Sequence, residues 1–69
     1  MTIHELRTAI RRYGLDVTSH RERGKWIVLV TGTLRGKPYV RVYSHTDRLE
    51  AIEAAFLDVV ATAGPRYRG

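Results

Sequence analysis

The sequence contains no cysteine. Without thiols the chain can form neither disulfides nor thiolate–metal bonds, and this absence fits a reducing compartment, so we expect a cytoplasmic protein. No apolar run approaches the roughly 20 residues that a membrane-spanning helix needs. The N-terminus also lacks the charged segment followed by a long apolar stretch that is typical of a signal peptide. We therefore expect no membrane partner.

Recognisable catalytic motifs are missing as well. There is no Gly-x-Ser-x-Gly turn and no phosphate-binding glycine loop, because Gly32 and Gly36 fall in and beside a predicted hairpin. The three histidines, His4, His20 and His45, do not pair at the spacing of metal ligands. The sequence therefore predicts that the protein is not an enzyme and has no metal, no cofactor and no small-molecule substrate.

The length of 69 residues allows one domain with a modest core. Residues 1–64 carry the patterns of regular structure, and residues 65–69 form a short basic tail. We expect a single α+β domain over residues 1–64, followed by this C-terminal tail.

A first helix is predicted from Thr2 to Tyr13. Thr2 and Glu5 have the spacing of a capping box, in which each side chain binds the backbone amide of the other residue. Gly14 follows, where a left-handed residue ends a helix. Apolar side chains recur at helical spacing and predict one buried stripe. These are Ile3, Leu6, Ile10 and Tyr13.

Three short strands are predicted next, over residues 15–20, 26–33 and 39–44. The first alternates apolar and polar residues, and the other two are rich in β-branched or aromatic residues. A charged loop over residues 20–25 and a turn over residues 34–37 connect them. Connections of this length favour an antiparallel meander.

A second helix is predicted from Thr46 to Ala63, capped by Thr46 or Asp47 and ended by Gly64 and Pro65. Its apolar residues form a stripe that consists of Leu49, Ile52, Phe56, Val59, Val60 and Ala63. The predicted order is αβββα, a three-stranded antiparallel sheet with two helices packed on one face. We expect Val28, Val42, Ile52 and Phe56 to be buried together, and Phe56→Ala to cost about 3–5 kcal/mol.

The other face of such a sheet is open. If Trp26, Val28, Val30, Val40 and Val42 point to the helices, large side chains remain on the open face and predict a protein interface, since exposed apolar patches mark contacts. These are Ile27, Leu29, Tyr39, Arg41 and Tyr43. A homodimer is the favoured occupant, with another protein or stacked single-stranded bases as alternatives. A one-residue slip of strand two would exchange its faces.

Charge is distributed unevenly. The chain has 12 Lys and Arg against 7 Asp and Glu, a net charge of +5. The second helix holds Asp47, Glu50, Glu53 and Asp58 on its predicted solvated side, with Arg48 as its one basic residue. The remainder is strongly basic, which suits a phosphate backbone. Candidate nucleic-acid-binding residues lie on helix one and in the first loop: His4, Arg7, Arg11, Arg12, His20, Arg21, Arg23 and Lys25. The alternative is that these residues only form the solvent-exposed polar face of the helix and a solvated loop.

The pattern resembles the double-stranded RNA-binding domain in element order over Thr2 to Ala63. Residues 15–19 and 26–30 are similar to its first two strands, and the Glu50–Ala51 and Ala54–Ala55 pairs to its alanine-rich second helix. The resemblance implies minor-groove contacts through helix one and the first loop. Arg48 alone is basic where that family has a lysine-rich motif, which implies weak intrinsic affinity.

Taken together, these patterns predict a non-enzymatic binding protein associated with duplex RNA or DNA. The alternative is a small interaction or inhibitor protein, of the kind carried by phages and mobile elements. Such a protein would dock through its open sheet face.

Overall fold

The computed structural model describes residues 1–64, and its helices and strands follow in the predicted order. The elements are α1 (Ile3–Arg11), β1 (Leu15–Glu22), β2 (Lys25–Leu34), β3 (Lys37–His45) and α2 (Arg48–Ala63). The strands form one antiparallel sheet in the order β1-β2-β3. The predicted α+β fold is therefore confirmed, whereas the predicted tail, residues 65–69, lies outside the described residues.

The predicted capping box begins α1. The Glu5 backbone N–H donates to Oγ1 of Thr2 over 3.1 Å, and the Thr2 N–H donates to Oε1 of Glu5 over 2.8 Å. These bonds favour the charged carboxylate and lower the pKa of Glu5. The helix ends at Arg11, two residues before the predicted end, and Gly14 has a φ of 81°. Glycine adopts this left-handed conformation without steric cost.

A two-residue turn joins β1 to β2. Glu22 pairs with Lys25, so only Arg23 and Gly24 lie between the strands, with φ values of 50° and 79°. Positive φ at both central residues gives the twist that suits a tight hairpin. The predicted charged loop is therefore wrong, since β1 continues through Glu22.

A second two-residue turn fixes which face of β3 meets the helices. Leu34 pairs with Lys37, and the same register places Val28 opposite Tyr43. Opposed residues of an antiparallel pair share a face, so the odd-numbered residues of β3 face the helices. Val40 and Val42 are 58% and 62% exposed on the other side. The prediction that they face the helices is wrong.

The core lies between the helix-facing side of the sheet and both helices. Helix α2 packs on β2 and β3, and α1 packs on β1 and α2. The small side chains of Ala51 and Ala55 in α2 are fully buried, while Phe56 is only partly buried. The buried set is Leu6, Ile10, Leu15, Val17, Val28, Val30, Leu34, Tyr39, Ala51, Ile52, Ala55, Val59 and Ala63. The predicted burial of Val28 and Ile52 is confirmed.

A polar cluster connects β3 to α2. The Tyr43 hydroxyl donates to Oδ2 of Asp58 over 2.5 Å, and the Tyr39 hydroxyl lies 3.5 Å from the same oxygen. The two hydroxyls are 3.3 Å apart. Asp58 is half-buried, so its predicted place on the solvated side of α2 is wrong.

This cluster predicts a loss of stability at alkaline pH. Burial, followed by the hydrogen bonds to Asp58 and Tyr39, raises the pKa of Tyr43 well above its ordinary value of 10.0. The unfolded chain therefore releases this proton at lower pH than the folded chain does. Its stabilising contribution is complete below pH 10 and is lost as the pH rises further. Chemical denaturation should show that Tyr43→Phe has a shallower decline above pH 10 than the parent. An unchanged decline would contradict this assignment.

Candidate nucleic-acid interface

One row of side chains crosses the sheet on the side of the helices, at the end where α2 begins. Arg21 of β1 pairs with Trp26 of β2, which pairs with His45 of β3. Arg48, the first residue of α2, completes this group. Its guanidinium carbon lies 5.1 Å from the Trp26 ring centroid, and that of Arg21 lies 5.9 Å from it. We call Arg21, Trp26 and Arg48 the arginine–tryptophan cluster.

The start of α2 is held in place by local hydrogen bonds. Asp47 is the N-cap, and its Oδ1 accepts from the Leu49 N–H over 3.0 Å. The Asp47 N–H donates to Nδ1 of His45 over 2.9 Å. Nδ1 is thus an acceptor, so Nε2 carries the proton and can donate to Oε2 of Glu50, 3.0 Å away. Both carboxylates at this end of α2 are therefore engaged.

The cluster has the chemistry of an anion site. A guanidinium group that stacks on an aromatic face keeps its in-plane N–H groups free, and these can bind two phosphate oxygens at once. Nε of Arg48 is buried without a hydrogen-bond partner. The N-terminus of α2 adds a partial positive charge next to Arg48. A bound anion would relieve the repulsion among these positive groups.

The lysines and arginines of the described residues also lack acidic partners. Within residues 1–64, the contacts between basic and acidic side chains both involve histidine: Nε2 of His20 lies 3.3 Å from Glu22, and Nε2 of His45 lies 3.0 Å from Glu50. No Lys or Arg nitrogen of this part of the chain lies within 4.0 Å of one of its carboxylates. The positive charge is thus not neutralised by neighbouring acidic groups.

The four predicted binding residues of helix one lie at its surface or beside its end. His4, Arg7 and Arg11 follow one another at intervals of three and four residues, which places them on one side of α1. His4 and Arg11 are exposed, as is Arg12, which is the C-cap residue. Arg7 is half-buried, and its Nε has no hydrogen-bond partner among the described residues.

The four predicted residues of the first loop divide between two faces. His20 pairs with Ile27 on the open face, where its Nε2 contacts Glu22. Lys25 lies on that same face, Arg23 occupies the turn, and Arg21 alone lies on the side of the helices. The structure therefore brings neither His20 nor Lys25 to the arginine–tryptophan cluster.

Sequence reasoning missed Trp26 and Arg48 as members of this site. The prediction that Trp26 points to the helices has the correct face, but the side chain is only half-buried. Two signals locate them: the Arg23–Gly24 turn sets Arg21 opposite Trp26, and the Asp47 cap places Arg48 one residue later, at the start of α2.

Three of the five predicted protein-interface residues are on the wrong face. Tyr39 is 3% exposed and lies beneath α2. Tyr43 is bound to Asp58, and Arg41 stacks on Tyr39 at 4.9 Å from its ring centroid. The β2–β3 register causes this reversal. Only Ile27 and Leu29 occupy the open face as predicted.

Comparisons with models of known protein families, with curated proteins and with solved structures find no match. The resemblance to the double-stranded RNA-binding domain therefore stays a prediction from the sequence. Neither helix within residues 1–64 is long and apolar enough to cross a membrane.

Proposed function

We propose that this protein binds nucleic acid without catalysis and contacts the phosphate backbone through the arginine–tryptophan cluster. The observation that carries the proposal is the pair of guanidinium groups beside Trp26, which have no acidic partner within residues 1–64. Contacts with phosphate groups position a protein on nucleic acid but do not distinguish one base sequence from another. We therefore expect weak preference among sequences.

Further cations could add to this surface. Arg23 occupies the turn two residues after Arg21, and one side of α1 carries His4 and Arg11. Each lysine or arginine that meets a phosphate releases a counterion, so several such contacts give an affinity that falls steeply with salt. The net charge of +5 favours the approach of a polyanion.

Trp26 gives a direct test because it is the chain's only tryptophan. Its fluorescence should change when RNA or DNA duplexes of about 16 base pairs are added at low salt. Single strands of the same sequences show whether the binding requires a duplex. The logarithm of the affinity should decline linearly with the logarithm of the salt concentration.

Replacing Arg21 and Arg48 together by glutamine should weaken binding and reduce the salt slope by about two, one for each phosphate contact. The matched control is Lys37→Gln with Arg41→Gln. It removes the same charge from β3 and includes an arginine that also stacks on an aromatic ring.

Two outcomes would contradict the proposal. A parent protein that binds neither RNA nor DNA at low salt excludes nucleic acid as the partner. Equal losses in the two double variants would show that net charge, rather than the arginine–tryptophan cluster, determines the affinity.

A further inference from the structure

The open face of the sheet carries a patch of apolar side chains that neither helix covers. Its centre is formed by Ile27 and Leu29 of β2 and by Val40 and Val42 of β3. Leu29 and Val42 are direct cross-strand partners. Val40 and Val42 are 58% and 62% exposed, among the most exposed large apolar residues that the structure describes. We call these four residues the open-face patch.

We propose that a second copy of this chain covers the open-face patch, so that two sheets pack face to face in a symmetric dimer. The proposal is independent of nucleic-acid binding, because the arginine–tryptophan cluster lies on the opposite side of the sheet.

The distribution of charge favours a second copy as the occupant. The chain carries +5, so most approaches of one copy to another are repulsive. From Pro38 to Ser44, the open-face positions of β3 hold no charged residue, and those of β2 from Ile27 to Thr33 hold none either. On this part of the described surface, two basic molecules can meet without opposing cations. The lack of cations also makes the patch unsuitable for a phosphate backbone.

The ends of β1 provide complementary groups for such a contact. Three cross-strand rows follow one another on the open face: Asp16–Thr31–Val40, Thr18–Leu29–Val42 and His20–Ile27–Ser44. A two-fold axis that runs across the strands through the middle row exchanges the outer two. Asp16 then faces the partner's His20, and Leu29 and Val42 meet their own copies. Exposed polar pairs contribute little energy, so this pairing sets the orientation and the apolar contact supplies the attraction.

The size of the face predicts a weak dimer. Three strands at about 4.8 Å spacing and about eight residues at 3.3 Å rise give a projected area of about 400 Å² per copy. A stable complex of standard size buries about 800 Å² per partner. We therefore expect association that depends on protein concentration, with aligned packing of the two sheets.

Sedimentation equilibrium from about 10 µM to about 1 mM protein covers the range of weak association. The average mass of the parent should rise from that of a monomer towards that of a dimer. Val42→Lys should remain monomeric, because two lysines would be brought together at the axis. Leu57→Lys is the matched control: Leu57 is 66% exposed on α2, so the variant adds the same charge at similar exposure away from the patch. It should associate as the parent does.

Circular dichroism establishes that both variants remain folded, which the exposure of both side chains leads us to expect. Concentration-dependent changes in amide chemical shifts should centre on Leu29 and Val42. The proposal is overturned if the parent is monomeric at about 1 mM, as it would be if a different protein covered the patch. Association of Val42→Lys equal to that of the parent, or shifts centred on α2, would overturn it as well.

Discussion

Replacing Ile52 with alanine should lower the free energy of unfolding by about 2–5 kcal/mol, through lost burial and the cavity that remains. Ile52 of α2 is fully buried in the hydrophobic core. A chain of 69 residues has a total stability of about 3–10 kcal/mol at typical values per residue. The substitution is therefore expected to leave a large part of the population unfolded. Urea denaturation followed by circular dichroism measures this loss.

Substitutions at two other residues of α2 provide comparisons for the effect of Ile52→Ala. Leu57 is 66% exposed, so Leu57→Ala should change the stability only slightly. Phe56 is partly buried, so Phe56→Ala should cost less than its full burial would imply. Equal effects of Ile52→Ala and Leu57→Ala would show that the orientation of α2 is wrong.

The sequence was sufficient to predict the order of the elements and the capping box, for which a local rule decides, since Thr2 and Glu5 lie three residues apart. Both faces of β2 are apolar, so the sequence left the choice of its buried face open, and the structure places Val28 and Val30 on the helix side. The alanines of α2 were missed as core residues. Periodicity assigns the large side chains to the buried stripe, whereas Ala51 and Ala55 are more deeply buried than Phe56.

The faces of β3 could not be assigned by alternation alone, because its two sides carry either valines or tyrosines. Both residue types suit a strand, and the choice depends on its neighbours. The two-residue turn at Arg35 and Gly36 sets the register with β2, and Asp58 of α2 supplies an acceptor for the tyrosine hydroxyls. Arg35 also donates to the carbonyl of Ala63 at the end of α2. Because the two faces of β3 are the reverse of those predicted, Val40 and Val42 lie on the open face of the sheet, and Tyr39 and Tyr43 lie on the helix side.

The candidate site was only partly predictable for a related reason. Arg21 was selected by its charge, but a count of charges along the chain does not show which cations share a face. That information comes from the cross-strand pairing of Arg21 with Trp26 and from the start of α2 at Arg48.

Replacing Asp58 with alanine should have the second largest effect on stability. The carboxylate accepts hydrogen bonds from Tyr43 and Tyr39, and Tyr39 is almost completely buried. A hydrogen bond to a charged group contributes about 1.5–3 kcal/mol, and removal of the acceptor leaves the two hydroxyls only each other as partners. We expect a loss of about 2–3 kcal/mol in the free energy of unfolding. Asp58→Asn keeps an acceptor oxygen and should cost less.

A double-mutant cycle with Tyr43→Phe separates this interaction from the general effect of removing a charge. Without the Tyr43 hydroxyl, Asp58→Ala should cost clearly less than it does in the parent. The control is Glu53→Ala, which removes an exposed carboxylate from the same helix and should leave the stability nearly unchanged. If Asp58→Ala and Glu53→Ala had equal effects, or if the costs of Asp58→Ala and Tyr43→Phe were additive, the cluster would not stabilise the contact of β3 with α2.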